Sequence, residues 1–306
     1  MKTKIIMMSA LLALAATGCT KDDNQKVNDG RIKIFAENMT AASNGSKVLI
    51  DPTAPVNGEQ WIAGEYIKVN NSSLIISGDD EGGYSVSSET VALVNGALYA
   101  VYPGQGFNNN DVTVDNSDPT HPSITLNKLS IDFASTGNSH KVVFPMGAKA
   151  DGETTSILFK HLTAGFQLTL RPNAEVTLTN LKVIVYGAGA ASAITDVVDG
   201  VSYTVAWKGQ GPAVPVGDVG SITDRDVSYA SEMNFDLRTN GTLGVTFDSD
   251  KKLCIPVTLA NVRRITVIGY NGSEQIFATT SAISAPYPAL ECNKIYPVKA
   301  IEFNVN

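Results

Sequence analysis

Three histidines (His121, His140, His161), three cysteines (Cys19, Cys254, Cys292) and an acidic loop are the side chains with which this 306-residue chain could do chemistry. They do not form a catalytic pattern. No two histidines have the spacing that sets a pair of imidazoles on one helix face for zinc, and HExxH is absent. No GxSxG elbow lifts a serine into attack. Gly187-Ala-Gly189-Ala-Ala-Ser192 lacks the third glycine of a dinucleotide loop, and no βαβ unit surrounds it. Asp111, Asp115 and Asp118 could gather calcium, but without the glycine and bidentate glutamate of an EF-hand they read as a solvated acidic loop. His121 belongs to that loop. His161, in Lys160-His161-Leu162, reads as a packed structural residue. A glycosidase-type carboxylate pair stays open, because the fold sets its separation. The expectation is a protein that is not an enzyme, with no cofactor and no metal.

Cys254 and Cys292 lie in strand-like contexts. Outside the cytoplasm they could pair, and buried free thiols fit equally well; the sequence leaves both open. Cys19 has a sharper context. Lys2 and Lys4 form a positive n-region, Ile5–Ala16 is a short apolar run, and Ala16-Thr17-Gly18-Cys19 resembles the lipobox of bacterial lipoproteins. Cleavage between Gly18 and Cys19 would remove a signal peptide (1–18) and leave Cys19 as the lipidation site at the head of a polar tether (19–30). The run is too short to span a bilayer comfortably, so the acyl chains would be the anchor. Thr20-Lys21-Asp22-Asp23 resembles the export signal that sends Bacteroidetes-type lipoproteins to the surface of the outer membrane. Without Lys2 and Lys4 the chain has 21 basic residues against 30 acidic, a balance of −9. That acidity argues against nucleic acid as a partner.

The elements that must position anything here are strands. Period-two alternation recurs at Ile32–Glu37, Tyr66–Val69, Ser73–Ser77, Leu98–Tyr102, Lys141–Phe144, Phe166–Leu170, Leu181–Tyr186, Leu243–Phe247, Leu253–Leu259, Arg264–Tyr270 and Gln275–Thr279. Asn271-Gly272 predicts a type I′ hairpin. Only Ser156–Gly165 could hold a helical turn. Asn108–His121 and Gly187–Gly220 read as surface loops, the second carrying Trp207. Trp61 should open a strand and pack inward. The expected fold is all-β, as two tandem β-sandwich domains over 31–162 and 163–306.

Four stretches, in order along the chain, resemble the fimbrillins, subunits of Bacteroidales-type (type V) pili. Trp61-Ile62-Ala63-Gly64-Glu65-Tyr66-Ile67 is similar to their W-x-x-G-D-x-I, with Glu65 for the usual Asp. Tyr99-Ala100-Val101-Tyr102-Pro103 is similar to Y-x-A-Y-Y-P, and Phe159-Lys160-His161-Leu162-Thr163-Ala164 to F-x-H-x-x-A. Asn293-Lys294-Ile295-Tyr296-Pro297-Val298 matches near the C-terminus. The resemblance implies transthyretin-like sandwiches and assembly by strand exchange. A trypsin-like protease removes the first strand, and a strand of another subunit fills the groove.

The residues here are compatible with that mechanism. Ile32, Ile34 and Ala36 would be the inward face of the removable strand. A stretch of small polar residues follows, then Lys47, the candidate cleavage site. Cleavage at Arg31 would leave the strand in place. Ile301, Phe303 and Val305 alternate with polar residues, as a donor strand requires; they are equally the last strand of the second domain. The expected partners are other pilus subunits, the outer membrane through Cys19, and a host or bacterial surface ligand. The competing expectation is a glycan-binding surface lipoprotein of a polysaccharide-uptake system, with Trp207 as sugar platform.

Overall fold

The computed structural model describes residues 30–37, 40–41, 61, 63–78, 83–87, 91–103, 112–126, 129–135, 140–142, 144–187, 193–207, 229–257, 262–287, 290–292 and 294–305. Among them the chain is all-β. Its strands, in order, are β1 (Arg31–Ala36), β2 (Thr40–Ala41), β3 (Tyr66–Val69), β4 (Ser72–Ile75), β5 (Ser77–Gly78), β6 (Tyr84–Ser87), β7 (Ala97–Tyr102), β8 (Val112–Asp115) and β9 (Ser123–Leu126). Next come β10 (Leu129–Phe133), β11 (His140–Val142), β12 (Met146–Asp151), β13 (Ser156–His161), β14 (Ala164–Pro172), β15 (Val176–Leu178), β16 (Asn180–Gly187), β17 (Ala193–Val198) and β18 (Val201–Trp207). The last are β19 (Tyr229–Thr239), β20 (Thr242–Leu243), β21 (Val245–Phe247), β22 (Lys251–Val257), β23 (Val262–Asn271), β24 (Glu274–Tyr287), β25 (Lys294–Pro297) and β26 (Ile301–Phe303).

The first sheet has eight strands in the order β4-β3-β7-β12-β13-β1-β6-β5. β4 and β5 stand at opposite ends of that order, yet only Ile76 separates them in the chain. The sheet therefore curls until its ends meet. Inside lies a core of Ile32, Ile34, Ile67, Val86, Leu98, Met146, Ile157 and Phe159, among others, lidded by Trp61. Trp61 packs inward as expected, 4.9 Å from Tyr102 and 5.1 Å from Phe159 between ring centroids, although it precedes β3 rather than opening a strand.

A larger core fills a sandwich. One of its sheets runs β11-β10-β19-β16-β23-β24, with β20 beside β19. The other runs β2-β25-β14-β22, with β26 also on β14. Inward residues of both interdigitate, such as Leu181, Val183, Ile265 and Phe235 against Phe166, Leu168 and Ile255. The expected boundary at 162/163 falls between β13 and β14. β9 and β10, from before it, pair in parallel with β18 and β19, from after it. β7 serves both cores: Leu98, Ala100 and Tyr102 face the first, Ala97, Tyr99 and Val101 the second. On that second face Tyr203 of β18 lies over Gly147, where any Cβ would meet its ring at 2.7 Å, and its hydroxyl donates to the Ala148 carbonyl at 2.5 Å.

Four expectations about local structure change. Ser156–Gly165 holds no helical turn: Ile157, Phe159 and His161 are buried and Ser156 and Leu158 exposed, a strand's alternation. Gly187–Gly220 contains a hairpin, β17 and β18, turned at Asp199 (φ 51°) and Gly200 (φ 82°). Asn108–His121 contains β8. The β23–β24 hairpin turns one residue late, at Gly272-Ser273, with Asn271 paired to Glu274 and Gly272 at φ 61°. A leading glycine at positive φ suits a II′ turn instead of I′.

Candidate functional site

β1 is an interior strand. It pairs in parallel with β13, Ile34 opposite Ile157 and Ala36 opposite Phe159. On its other side it pairs antiparallel with β6, Ile32 opposite Val86. Its sequence, Arg-Ile-Lys-Ile-Phe-Ala, produces this placement through alternation. Ile32 and Ile34 are 4% and 2% exposed inside the first core, while Arg31, Lys33 and Phe35 face out. Burying each isoleucine contributes roughly 1.5–3 kcal/mol. Arg31 Nε donates to Ser85 Oγ at 2.9 Å, so the polar face is tied to β6 as well. Phe35 sits beside its register partner Leu158, both about half exposed on the outer face.

The order of the sheet makes β1 a keystone. β6 reaches the rest of the sheet through β1, and β5 through β6. Withdrawing β1 would leave a seam with hydrogen-bonding edges on both sides, β13 and β6, over two vacated isoleucine pockets. The chain then crosses between sheets. Glu37 N–H donates to the Phe159 carbonyl at 2.8 Å, and β2 runs parallel to β25, Ala41 opposite Ile295. β1 and β2 thus pair with strands of the curled sheet and of the sandwich respectively.

His161 lies beneath this crossing. It is 1% exposed, edge-on to Phe144 at 5.9 Å, and hydrogen-bonds the backbone of Glu37. Burial lowers its pKa to about 4, against the upward pull of that hydrogen bond. It is packed and structural, as expected. Nearby, Tyr102 donates its hydroxyl to Glu65. Burial first, and the Glu65 carboxylate second, push the phenol far above its ordinary range.

The remaining candidates fall as follows. Ile301 and Phe303 are not displayed for a neighbour. They are 1% and 3% exposed in this chain's own second core, on β26, which runs parallel to β14. Phe303 stacks on Phe277 at 3.8 Å, and Val305 N–H donates to Asn173 Oδ1 at 2.8 Å. Within this chain they form a final core strand, the other placement that their alternation allowed. Its side chains find apolar partners within the chain itself. Cys254 and Cys292 are not joined in a disulfide; Cys254 is buried, which raises its thiol pKa, and Cys292 Sγ donates to the Leu162 carbonyl at 3.3 Å. His140 accepts the Cys254 N–H at 3.0 Å. Asp118 is bonded by Thr120 and His121, and among the described residues no group of three metal-binding side chains gathers. Trp207 ends β18, opposite Leu126, rather than lying in a loop. Gly18, Cys19, Lys47 and Asp111 lie outside the described residues.

No family model matches this chain, and no curated protein matches it. Among solved structures it is similar to a candidate cell adhesion protein from Bacteroides ovatus, at 13% identity over 90% of this chain and 95% of that one, with a TM-score of 0.37. A candidate cell adhesion protein from Bacteroides uniformis shares 15% identity over 91% and 97% of the two chains, TM-score 0.36. A fimbrial protein from Bacteroides ovatus shares 11% identity over 90% of this chain and 50% of that one, TM-score 0.27.

Proposed function

We propose that this chain is a fimbrillin-type pilus subunit. It is a lipoprotein tethered through Cys19 to the surface of the outer membrane, assembled with other subunits by strand exchange after proteolytic loss of its first strand, and serving cell adhesion. One observation carries the reading. The strand that the sequence marks as removable is clasped between β13 and β6, with Ile32 and Ile34 as its only deeply buried side chains. Departure of such a strand opens a seam that another subunit's strand can enter. Backbone hydrogen bonds on both edges would supply affinity, and the two pockets register and specificity. Capture of glycans, the competing reading, needs an exposed aromatic shelf; its candidate, Trp207, ends β18 opposite Leu126, and the other tryptophan, Trp61, is buried against Tyr102 and Phe159.

The test is limited proteolysis of the full-length precursor with a trypsin-like protease, followed by intact-mass spectrometry and unboiled gels. Cleavage after Lys47 should come first, leave a compact remainder, and be followed by a high-molecular-weight ladder. Lys47→Ala should suppress both. A ladder that forms undiminished in Lys47→Ala, or cleavage confined to Arg31, would sink the reading.

A further inference from the structure

Among the described residues, Arg264 is the buried lysine or arginine, 2% exposed. It lies on β23 directly opposite Tyr186 of β16, its guanidinium carbon 4.3 Å from the centre of the tyrosine ring. Its other neighbour in register is Ala282 of β24. The ladder is irregular at this point: Val262 faces Tyr287, whereas Arg264 faces Ala282. Such irregularities re-aim side chains and concentrate near functional sites.

None of Nε, Nη1 or Nη2 of Arg264 has a hydrogen-bond partner. The carboxylate one strand beyond β16, Glu232 of β19, is engaged by Lys182 Nζ at 2.8 Å. One row along, Thr266 and Thr280 spend their hydroxyls on each other at 2.8 Å. A buried, unpaired cation is costly to a fold, and the cation–π contact with Tyr186 offsets only part of that cost. The contact with the ring leaves the N–H donors of the guanidinium unspent, and their fork matches the two oxygens of a carboxylate.

The geometry points to a carboxylate-binding site on this face of the β16–β23 pair, in which Arg264, steadied by Tyr186, receives the acid group of a small ligand. A ligand is small here because Arg264 is almost wholly enclosed. The same acid group could arrive on a free organic acid or on an acidic sugar. The site does not involve β1 and is present in the uncut precursor.

Isothermal titration of the full-length, uncut protein with acetate, galacturonic acid, N-acetylneuraminic acid and neutral galactose tests this. The acids should bind and galactose should not. Arg264→Gln should weaken acid binding by roughly tenfold or more, as charge-assisted hydrogen bonds are lost. Sugar acids binding more tightly than acetate assign the site to glycans, and equal binding assigns it to free organic acids. No binding by any acid, or binding unchanged in Arg264→Gln, overturns the proposal. A second measurement is independent of the ligand. Arg264→Met removes an unpaired buried cation and should raise Tm by about 2 °C or more. A fall in Tm would mean that the guanidinium has an internal partner, and would overturn the proposal too.

Discussion

The first and last strands of this chain are built alike and placed differently. Each shows two buried apolar side chains in alternation, Ile32 and Ile34 on β1, Ile301 and Phe303 on β26. Each runs parallel to a long strand, β13 or β14. But β1 has strands on both sides, whereas among the described residues β26 pairs with β14 alone. β26 is held instead by packing, through Phe303 on Phe277, and by Arg171, which grips Asp250 in a two-pronged contact and also reaches Glu302 at 3.2 Å. Two-sided pairing makes β1 a slot that another strand can refill with the same hydrogen bonds. One-sided pairing makes β26 a closing edge, whose loss would uncover core without leaving a template of equal quality.

The largest effect that could break this contrast comes from placing a charge in each strand. Ile34→Asp should destabilise the uncut precursor by more than about 4 kcal/mol in urea denaturation, since the carboxylate enters a sealed core. Ile301→Asp should do the same. In the assembled polymer the two should part. If β1 has gone, fibres already formed from Ile34→Asp protein should resist denaturant like wild type, whereas Ile301→Asp fibres should remain weak. Equal weakness in both polymers would mean that β1 stays in place.

A middle-sized effect belongs to the β1 side. The pKa of His161 is lowered from 6.5 to about 4 in the folded protein. The unfolded chain therefore takes up a proton on this residue before the folded one does. The stability it contributes is full above pH 6.5 and is lost as pH falls from 6.5 to about 4, amounting to ~3 kcal/mol. His161→Phe should flatten that part of the stability–pH curve measured by chemical denaturation. An unchanged slope would remove His161 from the crossing beneath Glu37.

The smallest effect sharpens the β26 side. Arg171→Ala should lower Tm slightly, and the difference from wild type should shrink in high salt, because these ion pairs are exposed and screened. A salt-independent loss would show that Arg171 acts through the packing of its alkyl stem.

Much of the strand pattern was readable before any coordinates. Tyr66–Val69 matches residue for residue, and Leu181–Tyr186 lies inside β16, because alternation reports which side chains the pleat must bury. Turn chemistry was equally present in the sequence. Asn95-Gly96, Asp199-Gly200 and Asn240-Gly241 all adopt positive φ at both positions, as I′ turns demand. The second of these divides a stretch whose Gly and Ala content otherwise suggests a loop. The candidate site was half legible. Ile32 and Ile34 announce an inward face, but nothing local says whether the strand is interior or edge. The Arg264–Tyr186 contact was not foreshadowed, since the two residues are far apart in sequence and meet only through strand register.

By itself, then, the sequence determined the all-β class, a number of the strands, the inward residues of the first and last of them, and the resemblance that suggests a pilus subunit. These are local properties, set by side-chain alternation, turn residues and short motifs. Tertiary structure decided that β1 lies between β13 and β6, that Ile301 and Phe303 fill their own core, that β9 and β10 pair with the later strands β18 and β19, and that Arg264 is buried. Those outcomes depend on which strand edges and apolar faces best cover one another once the whole chain collapses. That is a competition among long-range pairings, and no short window of sequence records its result.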